Sequence, residues 1–294
     1  MSGDHEGEAR PLAPGLYLVA TPIGNLEDIT LRALRILRSV DRIACEDTRQ
    51  TQKLLNHFNI QTPTVSYHMH NEGPRTEELT VELKQGARIA VVSDAGTPGI
   101  ADPGGQIAAA AIAAGVNVFP VPGANAAISG LIASGLPTDR FLFHGFFPAK
   151  AGQRKTALEE LARGEVTHVF YEAPHRILDT LGDVEAVFGG SQHVVVAREL
   201  TKIYEEFLRG AVSELRSQLA ARSAVRGEIV LMLAPSAVTP SSEKGKTSLA
   251  SEVAAVMKSD GISEMDALKR VARERGIGKS EAYRELQREQ NRLR

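Results

Sequence analysis

The residues best suited to chemistry fall in polar or glycine-rich segments that each follow a short apolar run. The longest is Ser93-Asp94-Ala95-Gly96-Thr97-Pro98-Gly99-Ile100-Ala101-Asp102-Pro103-Gly104. Its small residues let a ligand approach the main chain, and Asp94 suits ribose hydroxyls or a cationic ligand. Twelve residues is long for a plain connection, which favours ligand binding over a loop whose Asp102 merely caps the next helix. Ala20 to Thr30 (ATPIGNLEDIT) carries Pro22 and Gly24, which suit a ligand loop or a simple turn. It lacks the G-x-G-x-x-G fingerprint, so a dinucleotide is disfavoured. Glu46-Asp47-Thr48-Arg49 and Tyr67-His68-Met69-His70-Asn71-Glu72 offer Glu46, Asp47 and His68 as bases and Arg49 as a phosphate holder. Helix capping by Asp47 or Thr48, with the histidines at the surface, is the competing explanation. His68 and His70 lie too close in sequence, without a thiolate nearby, to predict a metal site. In the second half, Lys150 with Arg154 and Lys155, Tyr171 to Arg176 (YEAPHR), and Arg198 to Lys202 (RELTK) place cations where they could take phosphate oxygens or stabilise developing negative charge. A solvated helix face explains Lys150, Arg154 and Lys155 equally well. His175 and Arg176 open a helix, where the dipole disfavours a cation, so a specific partner is expected there.

These segments need a scaffold that brings them to one edge. Strands are predicted at Gly15–Ala20, Asp41–Cys45, Thr64–Tyr67, Arg88–Ser93 and Val116–Pro120, with helices near Ile29–Arg38, Thr48–His57, Arg75–Gln85 and Gly105–Ala114. Regular alternation implies parallel strands with crossover helices, and it puts the polar segments at the carboxyl ends of the strands, where open α/β sheets bind ligands. Val121 to Pro148, rich in Gly and Pro, reads as a joint and then an apolar stretch feeding a second sheet. Alternation then resumes: helix Gln153–Arg163, strand Thr167–Tyr171, helix Arg176–Phe188, strand His193–Ala197, helix Val212–Arg222 and strand Glu228–Ala234.

The 294 residues therefore divide into a disordered leader (1–12), an α/β domain (13–121), a second α/β domain (122–235), a linker (236–247) and a helical extension (248–294). The extension shows three helical patterns, Leu249–Met257, Ser263–Arg275 and Lys279–Glu289, with a turn at Gly276 and Ser280 as N-cap, the layout of a helix-turn-helix. From Lys244 onward twelve Lys/Arg face eight Asp/Glu, although the whole chain has net charge -2. Nucleic-acid binding must then come from a local basic patch. Cys45 is the only cysteine, which excludes an intramolecular disulfide or zinc ribbon and fits a reducing compartment. No apolar run suggests a membrane span, so the expected location is the cytoplasm, without membrane partners. The chain has no Trp and only 5% aromatic residues, too few for an aromatic stacking platform for single-stranded RNA.

In order and spacing, TPIGNLEDIT, ACEDTRQT, SDAGTPGIADPG, VPGANAA, SGLPTDRFLFHGFFPAK, YEAPHR and RELTK resemble the ribosomal RNA small subunit methyltransferase I family, of the tetrapyrrole methylase superfamily. The resemblance covers about Gly15 to Pro235 and extends more weakly to the terminal helices. It implies two α/β domains with S-adenosylmethionine in the cleft between them, usually in a homodimer. It also implies 2′-O-methylation of a cytidine in the decoding region of 16S ribosomal RNA within the small subunit. By motif, the cofactor contacts carried over are Pro22, Ile23, Gly24 and Asn25; Asp94, Ala95, Gly96, Thr97 and Pro98; Asn125 and Ala126; Tyr171 and Glu172; and Leu200. The first turn is less glycine-rich than in porphyrin-type members, which favours the RNA branch. For the reaction, Glu46, Asp47 or His68 would serve as base and Lys150 or Arg154 would assist the hydroxyl or clamp a phosphate, their order left open by the sequence. The competing functions are a tetrapyrrole methyltransferase and a non-catalytic, nucleotide-sensing RNA-binding protein. The missing phosphate fingerprint makes a nicotinamide dehydrogenase the least favoured.

Overall fold

The computed structural model describes residues 11–161, 165–235, 249–275, 282, 283 and 286, in two compact units, Met1–Ser236 and Ala237–Arg294. The first unit begins β1 (Gly15–Val19), α1 (Leu31–Ser39), β2 (Arg42–Cys45), α2 (Thr48–His57), β3 (Thr64–Ser66), α3 (Glu72–Lys84), β4 (Arg88–Val92), α4 (Gly105–Ala113) and β5 (Val118–Val121). These strands form an all-parallel sheet in the order β3-β2-β4-β1-β5. Successive strand residues alternate between its faces. Tyr17, Val19, Ile43, Cys45, Ala90 and Val92 pack under Ile36 and Leu37 of α1 and Leu55 of α2. Leu16, Ala44, Ile89 and Val91 pack under Leu79 and Leu83 of α3 and Ile107 and Ala111 of α4. Burial on both faces explains why these strands read as continuous apolar runs. The expected alternation is present throughout this half, with small shifts at the element ends.

The chain continues through α5 (Ala126–Ser134), β6 (Phe141–Phe146), α6 (Ala151–Leu161), β7 (Thr167–Glu172), α7 (Ile177–Phe188), β8 (His193–Arg198), β9 (Glu206–Ala211), α8 (Val212–Ala220) and β10 (Ile229–Leu233). A second sheet has the order β6-β7-β10-β8-β9. Here the simple alternation gives way. Only β6 and β7 pair in parallel, because β10 inserts antiparallel between β7 and β8, and β8 folds back onto β9 as a hairpin. Strand β9 was not expected: it is a short edge strand with a single buried apolar residue, Leu208, so it lacks an apolar run. Helix α5 lies in the segment read as a joint. Its Asn125 cap accepts the Ile128 N–H at 3.0 Å, and Gly135 ends it at φ +82°. Its small buried residues let it press onto the sheet: a Cβ on Gly130 would stand 3.3 Å from Val230 Cγ1. One face of the sheet packs on α6, α7 and α8 through Leu158, Leu181 and Leu215, and the other on α5 through Ala127 and Leu131.

The second unit contains α9 (Leu249–Asp260) and α10 (Glu264–Arg275). Leu249, Val253, Leu268 and Val271 share a core with Ala282 and Leu286, both helical. Ser263 caps α10, its Oγ accepting the Asp266 N–H at 3.3 Å and donating to the Asp266 carboxylate at 2.8 Å. The expected third helix is described only at Ala282, Tyr283 and Leu286. The Gly276 turn, the Ser280 cap, the first ten leader residues and the 236–247 linker lie outside the described residues. No helix among the described residues is long and apolar enough to cross a membrane.

Candidate functional site

Parallel pairing brings the segments after β1, β2, β3 and β4 to one edge of the first sheet. The loops after β1 and β4 are locked together. Thr21 and Gly96 exchange main-chain hydrogen bonds at 2.8 and 3.1 Å, and the Thr21 hydroxyl donates to Ser93 O at 3.2 Å. Gly96 sits at φ +83°, and a Cβ there would press on Ile23. The β2 loop joins through Asp47, whose N–H donates to Asp94 Oδ1 at 3.1 Å while its own carboxylate caps α2 by accepting the Arg49 N–H at 2.8 Å. The Thr97 hydroxyl donates to Ala124 O at 3.2 Å, which anchors the loop at the start of α5.

Facing this edge, the end of β7 and the start of β10 from the second sheet, with Leu200 in the turn after β8, complete a cavity of about 390 Å³. Its wall is mostly apolar, with Ile23, Ile100, Tyr171, Leu200 and Val230, and carries the carboxyl groups of Asp94 and Asp102. That size and that mix of apolar wall with a few polar groups are those of small-ligand sites. The Asp102 carboxyl is pushed up to about 6, chiefly by burial and then by the charges of Glu46 and Asp94, against a hydrogen bond from Ser93. Burial also raises Glu46, with Asp94 and Asp47 adding to it and His68 opposing. The Tyr171 hydroxyl is raised by burial too, opposed by its hydrogen bond at Ala127 and reinforced by the Asp102 charge. The loop before β9 is held against the first turn. Lys202 pairs with Glu199 at 2.8 Å and Glu228 at 2.9 Å, and its stem fills the space where a Cβ on Gly24 would lie.

Residues 15–216 match the sequence profile of the Tetrapyrrole (Corrin/Porphyrin) Methylases. A Ribosomal RNA small subunit methyltransferase I from Halalkalibacterium halodurans is 48% identical over 91% of this chain and 93% of its own length. One of the same name from Bacillus subtilis is 44% identical over 91% and 92%. This chain belongs to the ribosomal RNA small subunit methyltransferase I family. The fold is also that of uroporphyrin-III-C-methyltransferase from Thermus thermophilus, with a TM-score of 0.53 and 20% identity over 75% of this chain and 94% of that one.

In this member of the methyltransferase I family, Ile23, Asp94, Ala95, Gly96, Thr97, Ala126, Tyr171, Glu172 and Leu200 all line the cavity. Pro22, Gly24, Asn25, Pro98 and Asn125 do not; Asn25 accepts the Glu27 N–H at 3.1 Å and Asn125 caps α5, so both side chains serve local turns. The residues expected to assist the reaction stand outside the cavity wall. The charges of Asp94, His68 and Asp47 act on Glu46, and Asp47 is the N-cap of α2 with its N–H on Asp94. Lys150 is exposed just before α6. Arg154 is not a substrate clamp: it is buried and pairs with Asp183 at 2.6 Å. The partner expected for Arg176 is internal, the buried Glu172 at 2.7 Å. Arg198 likewise pairs with Glu206 at 3.0 Å.

Asp102 does not cap α4, since Gly104 takes the N-cap position without a side-chain cap bond. Ala173 and Pro174 of the YEAPHR segment also line the cavity, whereas sequence reasoning missed Phe146, Glu228, Ile229 and Val230. Antiparallel β10 sets its first residues, Ile229 and Val230, beside Glu172 and Tyr171. A parallel β10 would have brought its other end to the site.

Proposed function

We propose that this chain is an S-adenosylmethionine-dependent methyltransferase that places a methyl group on the ribose 2′-hydroxyl of a cytidine in the decoding region of 16S ribosomal RNA. The observation that carries this reading is the cleft itself, a mostly apolar chamber with the Asp94 and Asp102 carboxyl groups in its wall, in a chain of this family. A methyl donor with a flat adenine, a ribose and a cationic sulfonium fits that lining. Ile23, Ile100, Leu200 and Val230 offer apolar surface to its base, and Asp94 offers charge and a hydrogen-bond acceptor to its ribose and cationic groups. When bound, S-adenosylmethionine supplies an electrophilic methyl group. The chain orients the reactants and excludes water, because the interlocked Thr21–Gly96 loops and the Lys202 clamp fix both walls.

An RNA acceptor is supported by the names of the relatives and by the basic C-terminal segment, with twelve Lys/Arg against eight Asp/Glu from Lys244. We place the reaction in the cytoplasm, with the assembled small subunit as substrate, and take the working unit to be a homodimer. Exposed Phe141, Leu142 and Phe146 on edge strand β6 suit such pairing. The test is transfer of label from S-adenosylmethionine to purified small subunits, naked 16S RNA and a porphyrinogen. Label on subunit RNA is expected. Label on the tetrapyrrole alone favours the other branch of the superfamily, and label on none contradicts the proposal.

A further inference from the structure

We propose that Asp102 is the general base that takes the proton from the acceptor hydroxyl during methyl transfer, a role that rests on the methyltransferase reading above. Among the described residues, four carboxyl groups line the cleft: Asp94, Asp102, Glu172 and Glu228. Three are committed to the fold. Asp94 accepts the Asp47 N–H at 3.1 Å. Buried Glu172 receives the Ala173 N–H at 2.7 Å, the Thr180 hydroxyl at 2.6 Å and the Arg176 guanidinium at 2.7 Å. Glu228 pairs with Lys202 at 2.9 Å. Among the described residues no cation forms an ion pair with Asp102, and Ser93, the one group that lowers its pKa, also donates its hydroxyl to Ala95 O and Gly96 O at 3.2 Å.

Asp102 sits in a constrained stretch of the cleft wall. Ala101 holds a left-handed conformation at φ +62°, which a non-glycine residue adopts only under constraint, and such strain concentrates at active sites. On either side the loop is closed: the Gly99 N–H donates to Pro103 O at 3.1 Å, and the Gly104 N–H to Glu72 Oε1 at 3.4 Å. The titratable groups facing Asp102 are Asp94 on its own loop, Glu46 at the end of β2, with His68 behind it, and Tyr171 at the end of β7. The nearest charges are therefore acidic. They add to burial in raising Asp102 to about 6, which leaves it ionised at neutral pH and basic enough to accept a proton.

The step balances without another reactant. The hydroxyl oxygen forms its bond to the methyl carbon while the Asp102 carboxylate takes the hydroxyl proton. The carbon–sulfur bond breaks with its electron pair on sulfur, so a cationic donor and a carboxylate become a neutral thioether and a neutral acid.

The test is single-turnover transfer to small ribosomal subunits between about pH 5 and about pH 8. The wild-type rate rises through about pH 6 and levels off, whereas Asp102→Asn is slower by about 10² to 10⁴-fold and lacks the rise. Calorimetry shows Asp102→Asn binding S-adenosylmethionine within about threefold of wild type. Asp102→Glu, which keeps the acid, retains the rise. In the free protein Asp102→Asn melts above wild type at neutral pH and with it near about pH 4, because a raised carboxyl pKa makes the ionised form destabilising. An Asp102→Asn protein that keeps its rate or its pH dependence overturns the assignment. So does a rate loss matched by an equal loss of cofactor affinity, which makes Asp102 a binding residue. A wild type that methylates no subunit RNA removes the methyltransferase reading instead, and shows that failure without any variant.

Discussion

Asp102 and Glu206 are acids moved in opposite directions by their surroundings, Asp102 up chiefly by burial and Glu206 down by its arginines. The Arg222 guanidinium, at 2.7 and 2.8 Å, and Arg198 hold Glu206 down at about 2. A carboxyl lowered on folding stabilises the native state above its unfolded pKa of about 4.3, and that contribution fades as pH falls towards 2. Glu206→Gln is therefore expected to cost about 1 to 2 kcal/mol at neutral pH, after allowance for solvent screening, and almost nothing near about pH 2. Thermal melts across pH check this. At Gly24, φ +151° and the packed Lys202 stem leave no room for a side chain, so Gly24→Ala should weaken S-adenosylmethionine binding roughly tenfold in calorimetry while the fold persists. The place of the Asp94 to Thr97 stretch in the cavity wall was legible in the sequence because its glycine, small residues and acid are themselves the features that line it. Asp102 was not: its burial and the neighbouring charge of Glu46 come from stretches of chain that only the fold brings to the loop holding Asp94 and Asp102.

Among the elements, the parallel sheet was legible because strands buried on both faces leave unbroken apolar runs between amphipathic helices. Helix α5 was hidden by its own packing. The Ala, Ser and Gly residues that let it sit close on β10 are those of a loop, and its partners are about a hundred residues away in sequence. Gly130→Val should overfill that contact and lower stability by about 1 to 3 kcal/mol in denaturant titration. The order of the second sheet was illegible because antiparallel insertion of β10 depends on long-range pairing rather than local pattern. The Arg154–Asp183 pair ties α6 to α7, so Arg154→Ala should lower the melting temperature and leave single-turnover methylation by the folded enzyme unchanged. A rate loss without destabilisation would restore Arg154 as a substrate contact.

At the scale of the whole molecule, the chemistry and the excess basic charge belong to different units. The cavity and the cores around both sheets lie within Met1–Ser236, whereas the Lys/Arg excess begins at Lys244. A chain ending at Ser236 should bind S-adenosylmethionine as the full chain does but hold small subunits about tenfold more weakly and with a shallower salt dependence, measured by filter binding. Unchanged subunit affinity would make the extension a structural element. The net charge of -2 thus averages a more acidic body that holds the cavity and a basic C-terminal segment. The most direct measurement is to locate the methyl group itself, by mass spectrometry of nuclease fragments of 16S RNA from subunits treated with this protein and labelled S-adenosylmethionine. One labelled cytidine in the decoding region, with the methyl on its ribose 2′-oxygen, is the predicted result. A methyl on a base, a label elsewhere in the RNA, or no label would contradict it.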